Sequence, residues 1–154
     1  MKTLQVGDKA PAIKLLSQNR EKVALADFGG QRVLVYFCPK ADTPGCTQQG
    51  CALRDTLPVL GQAGVRVLGI SPDAPEVQER FDRKHKLGFL LLADEDHKVA
   101  EAYGVWGEKS LYGKTYMGII RSAFLVDADG RLAGAWYKIS PADTVPTVRQ
   151  ALGL

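Results

Sequence analysis

Six consecutive residues, Arg32-Val-Leu-Val-Tyr-Phe37, followed by a proline and then a helix start, constrain this chain more than any other stretch. A run of Val, Leu, Tyr and Phe without polar alternation is the pattern of a strand buried on both faces. Pro39 ends the run and biases Cys38 toward an extended conformation. Thr43 is a favoured N-cap residue and Pro44 suits the first helical position, so a helix begins there. A buried strand that feeds a helix is the building unit of an α/β sheet.

The remaining segments extend that unit. Residues 65–70 read as a second buried strand, and Asp73 with Glu76 predicts an N-cap pair for a helix through Lys86, with Ala74, Val77 and Phe81 on its inner face. A short strand is expected over 89–92 and a short helix over 96–103. Residues 104–118 read as a glycine-rich loop carrying Trp106, Tyr112 and Tyr116. Strands over 123–126 and 131–137 form a hairpin across Asp127-Ala-Asp-Gly130. Ser140, with Pro141 after it and Asp143 at the third position, opens a last helix to Leu152. Near the N-terminus, Gln18-Asn19-Arg20 marks a hairpin tip between short extended pieces. Pro58 predicts a kink or a restart in the helix that Pro44 opens, because an interior proline costs about 3 kcal/mol. The order predicts an α/β fold, a mixed central sheet flanked by helices with an N-terminal β-hairpin. At 154 residues the chain suits one domain spanning 1–154.

The helix start carries two cysteines, Cys46 and Cys51. Cys46 falls in the first turn, where unpaired N–H groups and the positive end of the macrodipole favour a thiolate, the nucleophilic form. On one intact helix, Cα atoms five residues apart are roughly 8–9 Å distant, beyond the ~7 Å limit for a disulfide without backbone movement. A bond between these cysteines therefore requires the first turns to melt. Gly50 makes melting easier, since glycine costs a helix interior about 1 kcal/mol relative to alanine. The bland alternative is a pair of buried structural thiols. Cys38 reads mainly as a small buried apolar residue, with redox contact to Cys46 as the other possibility.

The pattern Pro39-x-x-x-Thr43-x-x-Cys46 resembles the active-site signature of peroxiredoxins, and the CTxxxC continuation resembles the peroxiredoxin Q group, also called bacterioferritin comigratory protein. The likeness extends to Val6-Gly7-Asp8-x-Ala10-Pro11, the strand from Arg32, Leu53-Arg54-Asp55, Val67-Leu-Gly-Ile-Ser71, Asp94-Glu-Asp-His97, Val105-Trp-Gly-Glu-Lys109, and Arg121 leading Ser-Ala-Phe-Leu-Val-Asp127. This resemblance implies a thioredoxin-like fold and a monomeric, thioredoxin-dependent peroxidase of the atypical two-cysteine type. It also implies that Cys46 is the peroxidatic nucleophile, passing through a sulfenic acid, and that Cys51 is the resolving cysteine of an intramolecular disulfide. By the same resemblance Thr43 and Arg121 bind the peroxide and steady the thiolate, Pro39 shields it from water, and no cofactor is needed. Cys38 departs from the pattern, since related sequences usually carry an aromatic residue there.

Composition excludes several other classes. Twenty basic and 17 acidic residues are scattered to a net charge of +3, and without a basic run nucleic acid is a poor partner. No segment approaches 18 consecutive apolar residues. Three cysteines and an N-terminus without the apolar stretch of a secretory signal predict reactive or buried thiols in a reducing compartment, the cytoplasm. His85 and His97 read as isolated surface residues, so a zinc site built from them and the cysteines lacks a second paired-ligand motif. The acidic cluster Asp94-Glu95-Asp96 reads as a solvated helix start. A thiol–disulfide oxidoreductase would be expected to carry Cys-x-x-Cys. A non-enzymatic redox sensor using the same two thiols stays open.

Overall fold

A computed structural model describes residues 3–154. The apolar run becomes β3 (Arg32–Phe37), with five of its six residues buried, and it lies in the interior of a seven-stranded sheet. β3 pairs in parallel with β4 (Val65–Ser71), which pairs in parallel with β5 (Leu90–Ala93). On its other side β3 pairs antiparallel with β8 (Ser122–Val126), and β9 (Leu132–Trp136) continues that hairpin to one edge. The N-terminal hairpin of β1 (Lys14–Ser17) and β2 (Lys22–Ala24) joins antiparallel to β5 at the other edge. The architecture is the mixed, helix-flanked sheet of a thioredoxin-like fold.

Alternation along β3 divides the interior in two. Val33, Val35 and Phe37 join one apolar cluster with Ile70, Leu92, Phe124 and Tyr103. Leu34, Tyr36 and Cys38 join a second with Cys46, Leu53 and Leu60 of α1 (Pro44–Gln62), Phe81 of α2 (Pro75–His85) and Val148 of α4 (Pro141–Leu152). Side chains two apart share a face, so Cys38 belongs to the α1 side of the sheet. Both crossover helices, α1 and α2, pack on that face, as right-handed connections between successive parallel strands require.

Several expectations are corrected. Residues 104–118 are not a loop, for β6 (Trp106–Leu111) and β7 (Lys114–Ile119) pair throughout, from Trp106 with Ile119 to Leu111 with Lys114. The cause is the two-residue turn Tyr112-Gly113, in which both residues take positive φ (52° and 77°), the geometry that matches hairpin twist. α1 runs unbroken across Pro58, which removes only one helical hydrogen bond close to the helix's C-terminal end. α2 begins at Pro75 behind Ala74, and Asp73 does not cap it. Asp94 is buried, not solvated: its carboxylate accepts from the Val99 and Ala100 N–H groups (3.2 and 2.8 Å) at the start of α3 (Lys98–Ala102). The Ser140 cap is as expected, its hydroxyl accepting from the Asp143 N–H.

Candidate active site

β3 delivers the chain to a loop at its C-terminal end, and that loop turns into α1 with Pro44 at the first helical position. Cys46 therefore occupies the third position of the first turn. Its side chain is nearly inaccessible, with 1% of the residue exposed. Burial alone would keep it a thiol, yet its pKa is lowered to about 6. The largest contribution is a hydrogen bond from the Cys38 thiol, followed, against the opposing cost of burial, by the Thr43 hydroxyl, the backbone of Lys40 and the charge of Arg121. With that value roughly nine in ten Cys46 side chains are thiolate at pH 7. The causes that lower it are specific donors and a charge, among which the helix start places Cys46.

Thr43 occupies the N-cap position with extended backbone, and its carbonyl accepts from the Thr47 N–H at 2.8 Å. Its side chain makes no capping bond. The hydroxyl instead donates to the Lys40 carbonyl at 2.7 Å, and its nearness helps to lower the Cys46 pKa. Arg121, just before β8, reaches back so that Nη1 lies 3.5 Å from Cys46 Sγ. The same nitrogen donates to Gln49 Oε1 at 2.8 Å. Gln49 is fully buried, and its Nε2 donates to Thr144 Oγ1 at 2.9 Å, which in turn donates to the Ser140 carbonyl. A polar chain from α4 through α1 thus fixes the guanidinium over the sulfur. Gly45 is required by that approach, because a Cβ there would lie 2.8 Å from Arg121 Nη2.

The loop before α1 is pinned from outside. Asp73 accepts from the Ala41 N–H and from the Ser71 hydroxyl, each at 2.7 Å, and Gln78 donates to that hydroxyl at 2.8 Å. Asp42 takes a left-handed conformation (φ 62°) and pairs with Lys84 at 2.9 Å and His85 at 3.1 Å. Those partners hold its carboxyl below the usual range, the Lys84 hydrogen bond most of all and that of His85 next. Neither histidine is an isolated surface residue. His85 bridges α2 to this loop, and His97 stacks on Trp106 with centroids 3.8 Å apart. Tyr112 projects into solvent at 95% exposure and Tyr116 is exposed, so the hairpin contributes Lys109 to the neighbourhood instead. Lys109 Nζ donates to the Ile119 carbonyl at 2.8 Å, and its pKa is lowered by burial and then by Arg121.

Cys51 is half-buried on the same unbroken helix as Cys46, so the helical separation derived above applies and the two are not brought together. Pro39 is half-buried at the end of the strand, at the entrance to the loop. Gly50 faces Leu87 and Phe81, with space for a Cβ at ordinary contact distances of 3.5–3.8 Å. Gln49, Thr144, Gly45 and Asp73 were not legible as site residues. For Gln49 a signal existed: a polar side chain three residues after Cys46, on the helix face that Leu53 continues inward. Among the described residues, no three His, Cys, Asp or Glu side chains gather as metal ligands.

The chain resembles known proteins in sequence and in fold. The profile of the AhpC/TSA family matches residues 6–135. The Peroxiredoxin Bcp of Escherichia coli (strain K12) is 60% identical over 132 residues, covering 86% of this chain and 85% of that protein. The Xanthomonas campestris bacterioferritin comigratory protein, solved in trapped intermediate and ligand complexes that bear on its alkyl peroxide reduction activity, superposes with a TM-score of 0.86 at 33% identity. That match covers 92% of this chain and 90% of the other. The PrxQ of Xylella fastidiosa gives a TM-score of 0.92 at 28% identity, covering 99% and 98%. The chain therefore belongs to the AhpC/TSA family, within the peroxiredoxin Q, or bacterioferritin comigratory protein, group of peroxiredoxins.

Proposed function

We propose that the chain is a thiol-dependent peroxidase that reduces hydrogen peroxide and organic hydroperoxides through Cys46, serving antioxidant defence. The observation that carries this reading is the Arg121 guanidinium 3.5 Å from a sulfur whose pKa is lowered to about 6. The Cys46 thiolate attacks the terminal oxygen of the O–O bond, the bond breaks, and the leaving alkoxide or hydroxide takes a proton to become alcohol or water. Sulfur is left as a sulfenic acid. Negative charge migrates from sulfur onto the leaving oxygen, and a permanent cation held in place by Gln49 suits both ends of that path. The Thr43 hydroxyl, which donates to the Lys40 carbonyl in the reduced protein, would turn to donate to a peroxide oxygen. Pro39 limits water access at the loop entrance.

Cys51 is the resolving cysteine in this reading. Once the first turns of α1 unwind, its thiolate attacks the sulfenic sulfur, expels water and closes an intramolecular disulfide. A thioredoxin-like dithiol then reduces that disulfide by exchange, so the cycle runs on sulfur alone. The chain acts as a monomer in the cytoplasm, where dithiol reductants are plentiful. No helix among the described residues is long and apolar enough to cross a membrane.

The test couples peroxide consumption to thioredoxin and its reductase, with insulin reduction measured beside it. Peroxide-dependent turnover without insulin reduction supports the peroxidase. The reverse pattern would transfer the chain to the thiol–disulfide oxidoreductases, and oxidation without turnover would make it a sensor.

A further inference from the structure

The loop that leads into α1 carries one carboxylate tied to α2 and not to the sulfur. Asp42 directly precedes Thr43 and takes a left-handed conformation (φ 62°). Its carboxylate accepts from Lys84 Nζ at 2.9 Å and meets His85 Nε2 at 3.1 Å, both in the last turn of α2. His85 has a second grip. Its backbone carbonyl accepts from Arg54 Nη1 at 2.7 Å, and Arg54 lies on α1 beyond Cys51. The His85 ring packs edge-on against the buried Phe81, with centroids 5.4 Å apart. The end of α2 thus holds the chain on both sides of residues 43–53, the stretch that contains Cys46 and Cys51. We infer that the clamp of Asp42 on Lys84 and His85 is a brake on the resolving step, with Asp42 a positioning residue that sets how often the first turn of α1 opens. This inference rests on the peroxidase reading, in which Cys46 and Cys51 join only after that turn unwinds.

Two features of the clamp argue for a brake. The first is its independence of the sulfur. Charge-assisted contacts to Cys46 weaken once the thiolate becomes a neutral sulfenic acid, whereas a carboxylate paired with a lysine is untouched by that change. The clamp therefore outlasts oxidation. The second is chain entropy. A melted segment gains less freedom when both of its ends stay fixed than when one is released, so a hold at residue 42 disfavours opening. An exposed ion pair is a weak restraint, which makes the scale several-fold and not orders of magnitude. The brake also decides the fate of the sulfenic acid. In the closed turn a second hydroperoxide oxidises it to sulfinic acid and is itself reduced to alcohol or water. In the opened turn the Cys51 sulfur bonds to Cys46, the S–OH bond breaks, and the hydroxide leaves with the Cys51 proton as water.

The experiment compares the unaltered chain with Asp42→Asn and Lys84→Arg. Asp42→Asn deletes the charge and keeps the shape, and asparagine tolerates the left-handed backbone. Lys84→Arg keeps a cation within reach of Asp42. After one equivalent of hydrogen peroxide, rapid quench follows the loss of the Cys46 thiol and the appearance of the Cys46–Cys51 linked peptide. Amide hydrogen exchange over residues 47–50 is read on the reduced proteins, and sulfinic acid at Cys46 is measured in excess peroxide. In Asp42→Asn the link should form about three- to fivefold faster, with faster exchange over 47–50 and less sulfinic acid, while loss of the Cys46 thiol is no faster. Lys84→Arg should link at the rate of the unaltered chain. A linking rate in Asp42→Asn that is unchanged, or that falls in parallel with the first step, would overturn the inference and leave the peroxidase intact. Faster linking without faster exchange would overturn it too, since opening would not be the cause. If the unaltered chain lost no Cys46 thiol to peroxide, the peroxidase reading would go, and this inference with it.

Discussion

The two cysteines of α1 lie on one helix in opposite surroundings. Around Cys46 nearly every restraint is polar and comes from a distant segment: Arg121 from before β8, Thr144 from α4 through Gln49, and Asp73 and His85 from α2 and its approach. Around Cys51 the restraints are mostly apolar, with Gly50 against Leu87 and Phe81 and with Leu53 fully buried, supplemented by Arg54 donating to the His85 carbonyl at 2.7 Å. Polar restraints that depend on an anion weaken when the anion is oxidised, whereas apolar packing is indifferent to it. In the cycle proposed above, the first turn is where α1 would have to open, while the packed segment after Gly50 would hold.

Mutations can break that contrast from either side. Cys46→Ser removes the nucleophile and is expected to abolish peroxide turnover in the coupled assay, and retained turnover would reject the assignment. Arg121→Met keeps the bulk of the stem and deletes the charge, so the second-order rate of Cys46 oxidation by stopped flow should fall by about 10²–10³-fold. Gln49→Leu leaves the guanidinium present but unsupported. A hydrogen bond to a charged group is worth about 1.5–3 kcal/mol, so a loss of roughly tenfold or more is expected, together with a higher Cys46 pKa. A variant that lost stability but kept both rate and pKa would show that Gln49 only fills space.

The smallest effect lies on the apolar side. Gly50→Ala adds a Cβ that meets Leu87 and Phe81 at contact distance without overlap. It should stabilise α1 by about 1 kcal/mol and slow Cys46–Cys51 disulfide formation roughly fivefold, leaving the peroxide step unchanged. Rapid-quench alkylation separates the two steps. An unchanged resolution rate would mean that helix opening does not limit it.

Much of this was legible in the sequence because the signals are local. The buried run of β3, Pro44 at a helix start and the Ser140-Pro141-Asp143 cap each act within a few residues, and each element formed where those signals placed it. The hairpin of β6 and β7 escaped because its exposed strands have no clean alternation and its turn is Tyr-Gly, not the more telling Asn-Gly. Asp73 looked like a cap because its spacing to Glu76 is right, but a nearby loop offered the Ala41 N–H instead. The Gln49–Thr144 bond joins residues 95 apart, and no local pattern announces a contact at that range. Thr43 shows the mixed case: it takes the N-cap position as its residue type suggests, while its hydroxyl donates to the Lys40 carbonyl and makes no cap bond.

The central claim is that Cys46 is anionic in the folded, reduced protein because of its neighbours. The direct measurement is the rate of Cys46 alkylation by iodoacetamide from pH 4.5 to 9.5, with the modified peptide mapped by mass spectrometry. A lowered pKa means that the reactive thiolate is lost only as pH falls through the folded value. The rate should therefore rise with a midpoint near pH 6 and be flat above about pH 7.5. A midpoint near 8.5, the value of an unassisted cysteine, would contradict the account.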